Sequence, residues 1–141
     1  MRPVRALLKN TDAPWSLHPQ ESVFDALTTL ANHDVGALMV MDEGQLVGIL
    51  SERDYTRKIA LQGKSSKDTR VADIMTAKVL TVAADSRTED CMALMSQKKI
   101  RHLPVLDGDK VLGMISIRDI MDEIIADQEA TINQLQSYIA S

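Results

Sequence analysis

Aromatic residues make up only 3% of this 141-residue chain: one Trp, one Phe and two Tyr. A core built here has to rely on Val, Ile, Leu, Ala and the eight Met residues. The Met residues, including Met39, Met41, Met92, Met95 and Met114, read as core filler rather than as a ligand surface. There is one cysteine, Cys91. A single thiol excludes an intrachain disulfide framework and a cysteine-based zinc cluster. Its neighbours Ala93, Leu94 and Met95 mark it as buried rather than nucleophilic. The three histidines, His18, His33 and His102, are too scattered for a recognisable metal site. No apolar run approaches the roughly 18–20 residues that span a bilayer, and no apolar secretory core opens the chain. Sixteen Lys and Arg stand against twenty Asp and Glu, a net charge of −4, with no extended basic block. Nucleic acid and membrane are therefore not expected partners, and the cytoplasm is the expected location.

What the chain does have is a repeat. Gly48-Ile49-Leu50-Ser51-Glu52-Arg53-Asp54 returns as Gly113-Met114-Ile115-Ser116-Ile117-Arg118-Asp119, 65 positions later and without a gap. The same offset matches Asp25 to Asp90, Leu38 to Leu103, Val40 to Val105, Asp42 to Asp107 and Ile59 to Ile124. Such self-similarity defines the architecture before any single element does.

In chain order, Val4 to Leu8 predicts a short helical turn, broken by Asn10 to Pro14. Trp15 to Leu17 predicts a short strand. Val23, Ala26, Leu27, Leu30 and Ala31 fall on one helical face, which should end near His33-Asp34. Ala37–Met41 and Leu46–Leu50 predict a hairpin about the turn Asp42 to Gln45. A helix follows from Ser51 to about Leu61, capped by Gly63. After a polar linker and the brief apolar turn Val71 to Met75, the plan runs again. Val79–Val82 predicts a strand, Ser86 to Glu89 a capping box opening a helix, Leu103–Leu106 and Val111–Ile115 a hairpin, and Ser116 onward a helix. The terminal stretch carries an apolar stripe of Ile132, Leu135, Tyr138 and Ile139, facing its own domain or a partner chain. The divisions are a lead-in over 1–13, one repeat over 14–63, a linker over 64–77, a second repeat over 78–127 and a terminal amphipathic helix over 128–141.

Each repeat offers about three strands and two helices, too little to bury a sheet face alone. The expected fold is α+β: two repeats related by a pseudo-twofold axis and packed sheet to sheet, with a C-terminal helix. No nucleophile–base pair and no Walker-type loop appears, so an enzyme is not expected.

The duplicated Gly-apolar-apolar-Ser-x-x-Asp, the segment Arg101-His102-Leu103-Pro104-Val105 and the lead-in Asp73-Ile74-Met75-Thr76 together resemble a pair of CBS domains, over roughly residues 14–127. The resemblance implies a regulatory, signal-transducing module that binds an adenosyl ligand such as AMP, ADP, ATP, NAD or S-adenosylmethionine in clefts between its repeats. It also implies a homodimer, and an output through a protein target yet to be identified. Carried over by residue, Asp54 and Asp119 would each accept from a ribose diol, a match for two acceptor-only oxygens. Ser51 and Ser116 would reach phosphate at a helix start, and Arg53 and Arg118 would add bidentate contacts. Adenine would lie by Val79 and Leu80 in the Asp54 cleft, with Lys78, Arg101 and His102 toward the phosphates. In the Asp119 cleft it would lie by Pro14 and Trp15, with Gly36 and Ala37. The richer basic company of Asp54, set against Asp122 and Glu123 near Asp119, predicts the more phosphorylated ligand at Asp54. Ser-x-x-Asp is equally a helix-capping pattern, and the two roles compete for the same oxygens. A ligand-free dimerisation scaffold is the alternative.

Overall fold

A computed structural model describes residues 1–8 and 14–140 of the chain. The break expected over Asn10 to Pro14 falls, but for Pro14, outside the described residues. The chain divides into two compact units, Ala13–Leu80 on one side and Met1–Asp12 with Thr81–Ser141 on the other. The start of the chain thus folds with its second half.

In the first unit, β1 (Ser16–Leu17) pairs parallel to β2 (Ala37–Asp42), which pairs antiparallel to β3 (Gln45–Ser51). Glu43 and Gly44 make the hairpin turn, both at positive φ (50° and 78°), the backbone that matches strand twist in a two-residue loop. Between β1 and β2 runs α1 (Val23–His33), which Ser22 caps by accepting from the Asp25 N–H at 3.0 Å. Val23, Ala26 and Leu30 are buried beneath it with Leu38, Val40 and Leu50. Ala31, expected on the same face, is exposed. After β3 come α2 (Glu52–Tyr55) and a π-helical turn over Thr56–Ala60, which ends before Gly63 at φ 66°. The short helix α3 (Val71–Ile74) closes the unit, with Val71 and Ile74 in its core.

The second unit repeats this plan. β4 (Val82–Ala83) is parallel to β5 (His102–Asp107), which is antiparallel to β6 (Lys110–Ser116). The register irregularity between Val40 and Met41 recurs between Val105 and Leu106. A 3-10 turn at Val4–Leu7 takes the place that α3 has in the first unit, and Val4 and Leu7 join Cys91, Met95, Leu103, Val105, Ile115 and Ile120 in the second core. Burial raises the pKa of the Cys91 thiol, as suits a packing role.

Two expectations are corrected. The strand sought at Val79–Val82 is Val82–Ala83, because Val82 and Ala83 are the residues in register with Val105 and Leu106. The helix α4 (Thr88–Lys98) is capped at Arg87 with no side-chain cap, so Ser86 to Glu89 forms no capping box. The Glu89 carboxylate accepts from the Arg87 guanidinium instead, and the lead-in segment packs along this stretch: the Ser86 carbonyl accepts from the Val4 N–H at 3.1 Å, Arg87 forms a β-bridge with Pro3, and the Thr88 hydroxyl donates to the Arg2 carbonyl at 2.6 Å. The helix expected from Ser116 onward runs on through the terminal stretch. It is one helix, α5 (Ile117–Ala140). The position that holds the helix-ending Gly63 in the first repeat holds Gln128 in the second, and nothing there interrupts the α-helical run.

Candidate functional site

Each unit places one Ser-x-x-Asp motif where a strand turns into a helix. In the first, Ala37 lies opposite Ser51 across the β2–β3 ladder, and the Gly36 carbonyl accepts from the Glu52 N–H at 2.9 Å. In the second, His102 lies opposite Ser116, and the Arg101 carbonyl accepts from the Ile117 N–H at 2.8 Å. The start of each helix is therefore pinned by the strand beside it.

Both motifs form reciprocal caps. The Ser51 hydroxyl accepts from the Asp54 N–H at 3.2 Å while Asp54 Oδ2 accepts from the Ser51 N–H at 2.9 Å. The Ser116 hydroxyl accepts from the Asp119 N–H at 3.2 Å, and Asp119 Oδ2 accepts from the Ser116 N–H at 2.8 Å. Carboxylates at these positions also meet the favourable end of the helix dipole.

Asp54 is engaged further. Its Oδ2 also accepts from the Ser51 hydroxyl at 3.0 Å, while Oδ1 takes the Thr76 hydroxyl at 3.3 Å and the Lys58 ammonium at 3.1 Å. Four donors come close to filling what two carboxylate oxygens accept. Lys58 itself donates onward to the Ile74 carbonyl at 2.7 Å, so the buried carboxylate is tied to the end of the linker, at Ile74 and Thr76. Neither Thr76 nor this use of Lys58 was foreseen. The i, i+4 spacing of Asp54 and Lys58 was the available signal.

The candidate site residues fall into two sets. The first unit holds Ser51, Arg53 and Asp54 with Gly36 and Ala37, and also Pro14, Trp15, Lys78, Val79 and Leu80. Trp15 is about half exposed and stacks on His33 at a ring separation of 3.8 Å. The second unit holds Ser116, Arg118 and Asp119 with Arg101 and His102. Within its own unit the pair Arg101 and His102 stands beside the motif of Ser116 and Asp119, and Gly36 and Ala37 stand beside the motif of Ser51 and Asp54. In each unit the start of the middle strand lies opposite the helix start of the same repeat. The pKa of His102 is lowered, first by burial and then by the Arg101 charge, with Asp119 pulling the other way.

The residue matching Lys58 is Glu123, which is buried and accepts from the Arg2 guanidinium at 2.7 Å and from the Arg2 backbone N–H at 3.3 Å. Among the described residues there is no cluster of His, Cys, Asp and Glu that could hold a metal ion, and no helix is long and apolar enough to cross a membrane.

Two strand-to-helix motifs, each on a three-stranded mixed sheet with its own lead-in, define a duplicated α+β module. The chain belongs to the CBS domain family, whose model matches residues 4–61 and 71–126. Both matches take in the lead-in segments as well as the repeats. In sequence it is similar to the mitochondrial CBS domain-containing protein CBSX3 of Arabidopsis thaliana, with 39% identity covering 93% of this chain and 66% of that protein. The chain therefore spans about two thirds of that relative's length. In structure it is similar to a protein with CBS domains from Burkholderia ambifaria, at 45% identity and a TM-score of 0.85, covering 89% of this chain and 96% of that one. It is also similar to a CBS domain pair solved in complex with 5′-methylthioadenosine and S-adenosyl-L-methionine, at 27% identity and a TM-score of 0.79, covering 90% and 98%.

Proposed function

We propose that this CBS pair is a regulatory module that binds adenosyl nucleotides, AMP, ADP, ATP or NAD, through the Ser–Asp motifs of its two repeats, and signals without catalysing a reaction. The observation that carries the reading is the duplication. Two matching helix starts each present an acceptor-only carboxylate, a hydroxyl and backbone N–H groups, the set a ribose with attached phosphate needs. The relative solved with two adenosyl compounds supports the ligand class, and a signal-transduction role has been put forward for the Burkholderia relative. In this reading the ribose diol replaces Thr76 and Lys58 on Asp54 Oδ1 while the cap donors stay on Oδ2. Lys58, freed from the carboxylate, then turns to phosphate. The two motifs are unequal, and Arg57 and Lys58 against Asp122 and Glu123 at the matching positions favour the more phosphorylated ligand at Asp54.

A second reading is a dimerisation scaffold that takes no ligand. The one observation that favours it is the Asp54 carboxylate, which its own chain already satisfies.

A thermal-shift series separates the two. A ligand that binds only the folded state at a hundred times its dissociation constant adds about 2.7 kcal/mol and raises the melting temperature. At least one of AMP, ADP, ATP, NAD and S-adenosylmethionine is expected to do so. Asp54→Ala should weaken ATP more than AMP, and Asp119→Ala the reverse. A flat series across all five compounds leaves the scaffold, and equal losses in both variants remove the asymmetry.

A further inference from the structure

The far half of α5 stands out from its own unit: every residue from Ile125 to Ala140 is exposed. An exposed helix rich in Gln, Asn, Thr and Ser has little reason to hold its shape unless something covers one side of it. Along it, Met121, Ile125, Gln128, Ile132, Leu135 and Ile139 recur at intervals of four and three in strict alternation. That is a heptad seam with a period of 3.5, narrower than the stripe a helix lays on its own globular core. The five apolar members are between 48% and 81% exposed.

We propose that this seam pairs with the same seam of a second copy of the chain, as a parallel, in-register, two-stranded coiled coil. The residue types select that occupant. Ile125, Ile132 and Ile139 put a β-branched residue at each first position of the heptad, and Leu135 and Met121 put an unbranched-β residue at the fourth, the combination that favours two parallel strands. Gln128 is the one polar member. In a parallel, in-register pair it meets its own counterpart, and each amide donates to the other. An antiparallel pair sets it against an aliphatic side chain and buries it unpaired. From Gln128 to Ala140 the only charged residue is Glu129, so two copies side by side meet little like-charge opposition. The pairing goes beyond nucleotide binding and does not depend on it.

The test uses the full chain with one new cysteine at a time, Leu135→Cys on the seam or Ser137→Cys on the opposite side of the helix. Cys91 stays in place, since it is buried. Under mild oxidation Leu135→Cys is expected to cross-link into dimers at least tenfold faster than Ser137→Cys, and Ile132→Asp added to Leu135→Cys should slow that at least tenfold. Sedimentation of the unaltered chain should give a dimer. Equal rates at the two cysteines, no effect of Ile132→Asp, or an unaltered chain that sediments as a monomer or as a trimer overturns the proposal.

Discussion

Lys58 and Glu123 stand at matching positions of the two repeats, carry opposite charges and do the same mechanical task. Each reaches from the helix after its Ser–Asp motif to the lead-in segment of its unit, Lys58 to the Ile74 carbonyl and Glu123 to Arg2. The Arg2 guanidinium, through hydrogen bonds first, holds the Glu123 carboxyl below its ordinary value of 4.5. A lowered carboxyl stabilises the fold fully above its unfolded value and loses that contribution as the pH falls through the lowered folded value. Unfolding by urea at stepped pH should therefore show stability falling below about pH 4.5, and Glu123→Gln should flatten that part of the curve. An unchanged curve in the variant assigns the acid sensitivity to other carboxylates. His102 has its pKa lowered by burial, so it is held neutral at and above its ordinary value of 6.5, and protonation on acidification works against the folded state.

At the scale of elements, the glycine that opens each motif acquires its reason. A Cβ on Gly48 would lie 2.6 Å from the Met75 sulfur, 2.9 Å from its Cγ and 3.1 Å from the Thr76 carbonyl oxygen. One on Gly113 would meet only the Leu8 side chain, at 3.0 Å from a terminal methyl. Strand β3 must leave room for the segment that crosses it, where Ile49 and Thr76 exchange backbone hydrogen bonds at 3.0 and 2.9 Å. Gly48→Ala should cost about 1–3 kcal/mol by overpacking against the Met75 side chain and the Thr76 carbonyl behind it. Gly113→Ala, opposed by the tip of a flexible side chain, should cost less than about 1 kcal/mol. Denaturation midpoints of the two variants compare them directly, and a larger loss at Gly113 would contradict this account.

At the scale of the whole molecule, each repeat is completed by a segment that precedes it or follows it in an unexpected place. Val4–Leu7 fills the core of the second unit, and Val71–Ile74, which leads into the second repeat, fills the core of the first. Removing residues 1–8 should take away two buried side chains, Val4 and Leu7, worth roughly 3–6 kcal/mol together at the usual value for full burial. It also strips Glu123 of its cation. Hydrogen exchange should then show amide protection falling in β5 and β6. Unchanged protection there would mean that the segment contributes nothing to that core.

Much of this was legible in the residues alone. The 65-residue offset exposed the repeat, the alternation of apolar runs and turns placed both hairpins, and Ser51 with Asp54 announced a helix start that the backbone confirms. These are local signals: a turn, a cap or a strand is written within a few neighbouring residues. The lead-in segments were harder, although Val4-Arg5-Ala6-Leu7 and Val71-Ala72-Asp73-Ile74 do echo each other in apolar spacing. Nothing local in either segment says which core it enters.

By itself, then, the sequence determined a duplicated α+β plan, its two Ser–Asp helix starts and its family. Only the tertiary structure decided which unit each lead-in completes, that Arg101 and His102 begin the strand beside Asp119, and that Asp54 is held by Thr76 and Lys58. The reason is physical. A repeat is set by patterns of near neighbours, whereas Arg2 meets Glu123 across 121 positions of chain, a contact whose loop-closure entropy is offset only once the second core has formed.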